Sequence, residues 1–235
     1  MTAQDPDAIA RAELRARQGL GARYDAPAAP AEMLLLARRG TAYFARKLNE
    51  LDDHALDLPG YAGEPRRRII SRVGYQARAL SRLIETARTG VTQPKHTSAE
   101  QIETELSDGA TLPAHALRYL FAHSEVHLSV EWRDLSNAGW DVALTDWRGA
   151  PIGPRDTVLL RARMVWGAAV ALGNGGYWGD VPPVLLTALL ADAKSRAVYA
   201  AKAFEGQAQA LSRADLAKLL LGYGSDDLLA LPAYP

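Results

Sequence analysis

The sequence predicts a mainly α protein: a four-helix bundle with a small hairpin and a C-terminal appendage. Three observations point there. Four long segments repeat apolar residues at intervals of three and four, the spacing that lines one face of a helix. Prolines and glycines stand at the ends of these segments rather than within them, as helix starts and stops require. Strand-like alternation is confined to one short stretch.

The elements follow in order. Asp5-Pro6 opens a short charged helix to about Gln18, and YDAPAAPAE (24–32) is a proline-alanine connector. The first long helix runs from about Ala31 to Leu51, with Leu34, Ala37, Thr41, Phe44 and Leu48 as its stripe. Pro59-Gly60 breaks the chain. The second long helix spans 65–90, with Ile69, Val73, Ala77, Leu80, Ile84 and Ala87 facing the core and Gly90 as its C′ residue. Thr97-Ser98-Ala99-Glu100 has the character of a capping box and opens a short helix to about Leu106. A third long helix covers 113–135. In 140–152, Val142 and Leu144 alternate before a Trp-Arg-Gly turn, the pattern of a hairpin.

The fourth long helix carries RARMVWGAAVAL (161–172) and stops at 173–176. Gly173-Asn174-Gly175-Gly176 lacks the preceding strand and the Lys-Ser/Thr of a phosphate loop, so it reads as a helix C-cap. A fifth helix runs from Pro182-Pro183 to about Phe204, and Ser212 to Asp215 caps a last one that stops at Gly222. The chain divides into an N-terminal helix and connector (1–30), the bundle (31–180) and a helical C-terminal segment (181–235).

Composition removes several classes of function. Lys+Arg and Asp+Glu both number 27, so no global field draws nucleic acid or an anionic membrane. Arg66-Arg67-Arg68 is expected to be solvated helix surface. With no cysteine there is no disulfide, thiolate nucleophile or sulfur-ligated zinc. The first residues carry acids and no apolar core, unlike a signal peptide, and no apolar run is long enough to span a membrane. A cytoplasmic location is expected.

Four strings, ARRGTAYFARKLNELDD (37–53), RVGYQARALSRLIETARTG (72–90), HSEVHLSVEWRDL (123–135) and ALGNGG (171–176), together resemble the thiol-dependent maleylpyruvate isomerases of the DinB-like helical-bundle superfamily. The resemblance covers nearly all of residues 10–190. It implies a DinB-like four-helix bundle and a reaction in which mycothiol or glutathione adds to the cis double bond of maleylpyruvate. Rotation and loss of the thiol then give fumarylpyruvate. It also implies a divalent metal, zinc by family habit, as a Lewis acid. The C-terminal appendage is reduced: 212–228 resembles the family's closing helix, but 198–211 replaces the strands that should precede it.

The same resemblance implies where the metal ligands should fall. A family histidine aligns with Arg72, a glutamate with Met164, a second histidine with Ala168, and a following aspartate with Ala171. Arginine has no lone pair to offer at neutral pH and alanine no donor at all. A single thioether does not make a site. No metal is therefore expected, and the small residues of Gly167 to Ala171 read as a vacated site or as close helix packing.

Other candidates have two readings each. Arg72 either meets solvent or an internal acid, or presents a fixed cation to a dicarboxylate or thiol. His123 and His127, four apart, are either a metal pair or hydrogen-bonded histidines lining the bundle cavity. The family carries the same string beside its separate triad, which favours lining. Glu131, Arg133 and Asp134 read as a salt-bridged cap with Trp132 beneath. The expected function is that of a maleylpyruvate isomerase relative, impaired or inactive. The alternative is a non-catalytic binding or scaffold protein taking a small acid or thiol, or a partner, in the bundle.

Overall fold

The computed structural model describes residues 25–60 and 63–185. The expected helices at 5–18, 182–204 and 212–222 lie wholly or almost wholly outside those residues. Five α-helices lie wholly within the described residues: α1 (Ala31–Asn49), α2 (Arg66–Thr89), α3 (Ala99–Ala110), α4 (Ala114–Asp134) and α5 (Pro154–Ala171). None is long and apolar enough to cross a membrane.

Four of them close a bundle. α2 packs on α4 and α5, and α1 lies against α5. The ring closes where Phe44 of α1 meets Phe121 of α4 edge to face at 5.0 Å. The predicted stripes form the core: Leu34, Phe44, Leu48, Ile69, Val73, Leu80 and Ile84 are all essentially inaccessible. Each such side chain contributes about 1.5–3 kcal/mol by leaving water. The short α3 packs outside α2, where Ile102 and Leu106 form a satellite cluster with Tyr75, Ala79 and Trp147.

The helix ends obey their sequence signals. Gly90 closes α2 with φ 72°, its N–H donating to the Thr86 carbonyl. Ser98 caps α3 by accepting from the Gln101 N–H, while Gln101 reaches back to the Thr97 N–H at 2.9 Å. That return arm comes from Gln101 rather than from Glu100, and α3 continues four residues past the expected end. Pro154 begins α5, with the Asp156 carboxylate accepting from the Gly153 N–H. Gly173 and Gly175, both at positive φ, turn the chain out of α5.

The expected small hairpin is present as β1 (Leu144–Thr145) and β2 (Pro151–Ile152), paired antiparallel, and one other expectation needs correction. The Asp146 carboxylate takes the Arg148 and Ala150 N–H groups, both at 2.8 Å, and so spends donors on the turn that a longer ladder would use. The Arg66-Arg67-Arg68 run is not solvated surface. Arg66 is buried and donates to the carbonyls of Leu172, Gly173 and Ala55, putting a cation on the carbonyl end of α5. Arg67 binds Asp57 and the Leu112 carbonyl, and Arg68 binds Glu103. The last pair holds the Glu103 carboxyl below its ordinary range.

Candidate functional site

α2 and α5 run antiparallel, in a register set by two contacts. Arg66 Nε donates to the Leu172 carbonyl at 2.7 Å, and Gln76 Nε2 to the Leu160 carbonyl at 3.4 Å. This brings residue 72 level with Met164, with Ala168 one turn further along α5. Arg72 is occupied there. Its guanidinium forms a two-pronged ion pair with Glu64, with Nη1 at 3.1 Å and Nη2 closer still. Glu64 is thus the internal acid. Met164 is half-buried against the core, and Ala168 is almost fully buried. A guanidinium held by a carboxylate, a thioether and a methyl group do not fit a divalent metal. Among the described residues no three His, Asp or Glu side chains gather as a metal would require.

The chain packs closely against the last turns of α5. A Cβ on Gly60 would lie 2.3 Å from the Ala171 carbonyl oxygen, and one on Gly176 would lie 2.3 Å from that of Ala169. On the neighbouring face, a Cβ on Gly40 of α1 would fall 2.6 Å from both Trp166 and Val165. The backbone has closed on this stretch from both sides. Arg72, Met164 and Ala168 line neither of the two cavities found among the described residues.

One turn toward the start of α5 stands a residue that the sequence reading passed over. Arg161 is completely buried. Its Nη1 donates to the Val73 carbonyl at 2.7 Å and to Gln76 Oε1 at 3.3 Å, and its Nη2 to Glu125 Oε2 at 2.8 Å. One guanidinium therefore joins α5 to α2 and α4. Beside it, the Trp132 indole donates to Thr157 Oγ1 at 3.0 Å. The signal was available: Val158, Arg161, Val165 and Ala168 share one stripe at spacings of three and four, so Arg161 had to be buried.

His123 and His127 do not line the bundle. Both lie on the exposed side of α4, with His123 against the Tyr119 ring at 5.4 Å and His127 3.6 Å from Glu131. The buried stripe of α4 is Leu117, Leu120, Phe121, Ser124 and Leu128, and each histidine precedes one of its members, turned about 100° away. Glu125, one residue further round, faces inward to Arg161. Glu131 likewise leaves its neighbours and takes both prongs of Arg88 across the bundle, at 2.9 and 3.2 Å. That bond raises the Arg88 pKa above its ordinary value. Arg133 pairs with Asp134, and Trp132 is buried beneath, as the cap reading expected.

The closed ring of four helices with a short outer helix and a minimal hairpin defines a DinB-like helical bundle. The sequence model of the mycothiol maleylpyruvate isomerase N-terminal domain matches residues 37–167, and the chain belongs to that family. Two crystal structures align with it, one of a mycothiol-dependent maleylpyruvate isomerase and one of a histidine-to-alanine variant of that enzyme. Each does so at 35% identity and a TM-score of 0.66, over 69% of this chain and 68% of theirs. No curated protein matches.

Proposed function

We propose that this chain is a maleylpyruvate isomerase relative that retains the bundle while its metal-dependent isomerase activity is lost or greatly reduced. One observation carries the reading: at the level where the family resemblance puts three metal ligands, Arg72 is neutralised by Glu64, and Met164 and Ala168 offer no nitrogen or oxygen donor. A Lewis acid held by such residues has nothing to bind it. The thiol named for its structural relatives, mycothiol, is the first co-substrate to test, with glutathione second. A cytoplasmic site of action agrees with a cysteine-free chain.

The test is an isomerase assay on the full chain with maleylpyruvate and each thiol, with and without chelator, beside a measurement of bound zinc. The expected outcome is no chelator-sensitive turnover and zinc far below one per chain. Stoichiometric zinc with turnover that the chelator abolishes would overturn the proposal. A metal-free isomerase using Arg72 predicts chelator-insensitive turnover lost in Arg72→Met, and the Arg72–Glu64 pair speaks against it. A binding or scaffold protein predicts saturable binding without turnover.

The alignment itself is tested by restoring Arg72→His, Met164→Glu and Ala168→His together. The triple variant should take up about one zinc per chain, the stoichiometry of a three-ligand site with an open position. A folded triple variant that takes up none would count against the three positions forming one site.

A further inference from the structure

The larger chemical opportunity lies at the other end of α2. A cavity of about 450 Å³ opens between α2, the 91–97 connector and the hairpin. Its walls are mostly apolar, with Leu83, Leu144, Trp147 and Pro151 among them. Arg82 and Lys95 are its two permanent cations, and no carboxylate lines it. Arg82 begins a turn ten residues beyond Arg72, about 15 Å further along the helix axis at 1.5 Å per residue. The cavity is therefore separate from the level at which the family ligands align.

The charge balance of this cavity is uneven. The Lys95 ammonium is held by three neutral oxygens, the Thr145 and Asp146 carbonyls and Thr145 Oγ1, at 2.9–3.1 Å. It fixes the hairpin to the connector, but its charge meets no carboxylate. The Asp146 carboxylate faces away into the turn, where it takes the Arg148 and Ala150 N–H groups. His96 is answered by Glu105 at 3.0 Å. Thr86 Oγ1 is satisfied on both sides, donating to the Arg82 carbonyl and accepting from the Gln93 N–H. That leaves the Arg82 guanidinium, a half-buried group on the wall of the cavity, with no hydrogen-bond or ion-pair partner among the described residues.

We propose that this cavity is a binding site for a small organic monoanion, an aryl or alkyl carboxylate. Its apolar body lies against Leu83, Leu144 and Trp147, and its carboxylate pairs with Arg82. The size falls within the range of small-molecule sites, about 300–1,000 Å³, and apolar walls with one directional cation are how such sites combine affinity with orientation. A guanidinium presents two parallel N–H groups to a carboxylate, which a neutral isostere of the ligand cannot answer. The nearby Lys95 charge adds attraction without competing for the same geometry.

The test is calorimetric titration of the full-length chain with benzoate, 2-naphthoate and decanoate, each beside its neutral alcohol. At least one acid should bind saturably at one site per chain and about tenfold or more tighter than its alcohol, since a charge-assisted pair is worth that much. Arg82→Met should weaken that acid by about tenfold or more and leave the alcohol unchanged, while Arg82→Lys should retain part of the preference. The naphthoate and decanoate arms separate an aryl from an alkyl ligand. Added salt should weaken the acid alone. The proposal is overturned if none of the three acids binds saturably, or if Arg82→Met binds the acid as tightly as the unaltered chain.

Discussion

Two adjacent turns of α5 are built to opposite rules. At Arg161 the core is polar and closed: a buried cation meets a carboxylate, an amide and a backbone carbonyl from two other helices. At Met164 to Ala171 the inward face is hydrocarbon, and Gly60 and Gly176 approach the Ala171 and Ala169 carbonyls until a methyl group would not fit. A guanidinium can be buried because its partners were already inside. Met164 and Ala168 bring no nitrogen or oxygen donor, and beside them Gly60 and Gly176 lie against the Ala171 and Ala169 carbonyls. The difference teaches that one turn of the helix ties three helices directly through a single guanidinium, while the next turns are held by apolar contact and close backbone approach.

The comparison breaks most readily at Arg161. Arg161→Met should destabilise the chain by about 3–5 kcal/mol, because it strands the Glu125 carboxylate in a largely buried position. Adding Glu125→Leu should recover much of that loss, since a paired apolar replacement leaves no buried charge. Urea denaturation of the two variants beside the unaltered chain measures both numbers. A single variant that costs under about 1 kcal/mol would mean that Glu125 finds water or another donor, and that the polar turn is not what joins the helices.

The contrast also explains which parts of the molecule the sequence made readable. Helix spans, their stripes and the stops at Gly90 and Gly173 follow from local chemistry, since a periodicity and a left-handed glycine are each written within a few residues. Pairings across the bundle are written nowhere locally. Arg66 looked like solvated surface because its partners, the carbonyls of Leu172 and Gly173, lie more than a hundred residues away. Arg88 and Glu131 are separated by 43 residues, so only the packed helices reveal the pair. His123 and His127 fall outside the core for another reason: a spacing of four fits an exposed face as well as a buried one, and Leu117, Leu120, Ser124 and Leu128 take the buried face.

A smaller effect of opposite sign comes from Thr41. The contacts of Trp166 with the Leu36 carbonyl and of Asn174 with the Lys47 carbonyl set α1 parallel to α5, which brings residue 41 level with Ala168. The Thr41 hydroxyl is buried there without a hydrogen-bond partner. Thr41→Val keeps the β-branched shape and removes the unsatisfied group, so it should stabilise by about 1 kcal/mol. A loss of stability in thermal unfolding would show that the hydrocarbon level still contains a partner for that hydroxyl.

The finest test reads the far end of the same helix pair by pH. Tyr43 stacks on Trp166 with ring centroids 5.0 Å apart, and its hydroxyl donates to Asp180 Oδ2 at 2.5 Å while accepting from the Tyr177 N–H at 3.3 Å. Burial first, and the bond to Asp180 second, push the phenol up to about 12 from its ordinary value of 10.0. A group whose folded pKa is raised gives stability that is fully present below pH 10 and is lost as pH climbs through 12. The Tm of the unaltered chain should therefore fall across that window faster than that of Tyr43→Phe, with the two curves converging at its upper end. Using the difference between the chains cancels the other tyrosines, including Tyr75, whose pKa burial and Glu105 also raise. Parallel curves would mean that the phenol ionises as freely in the folded chain as in the unfolded one. The link from α1 to Asp180 would then contribute nothing to holding the segment after α5 against the bundle.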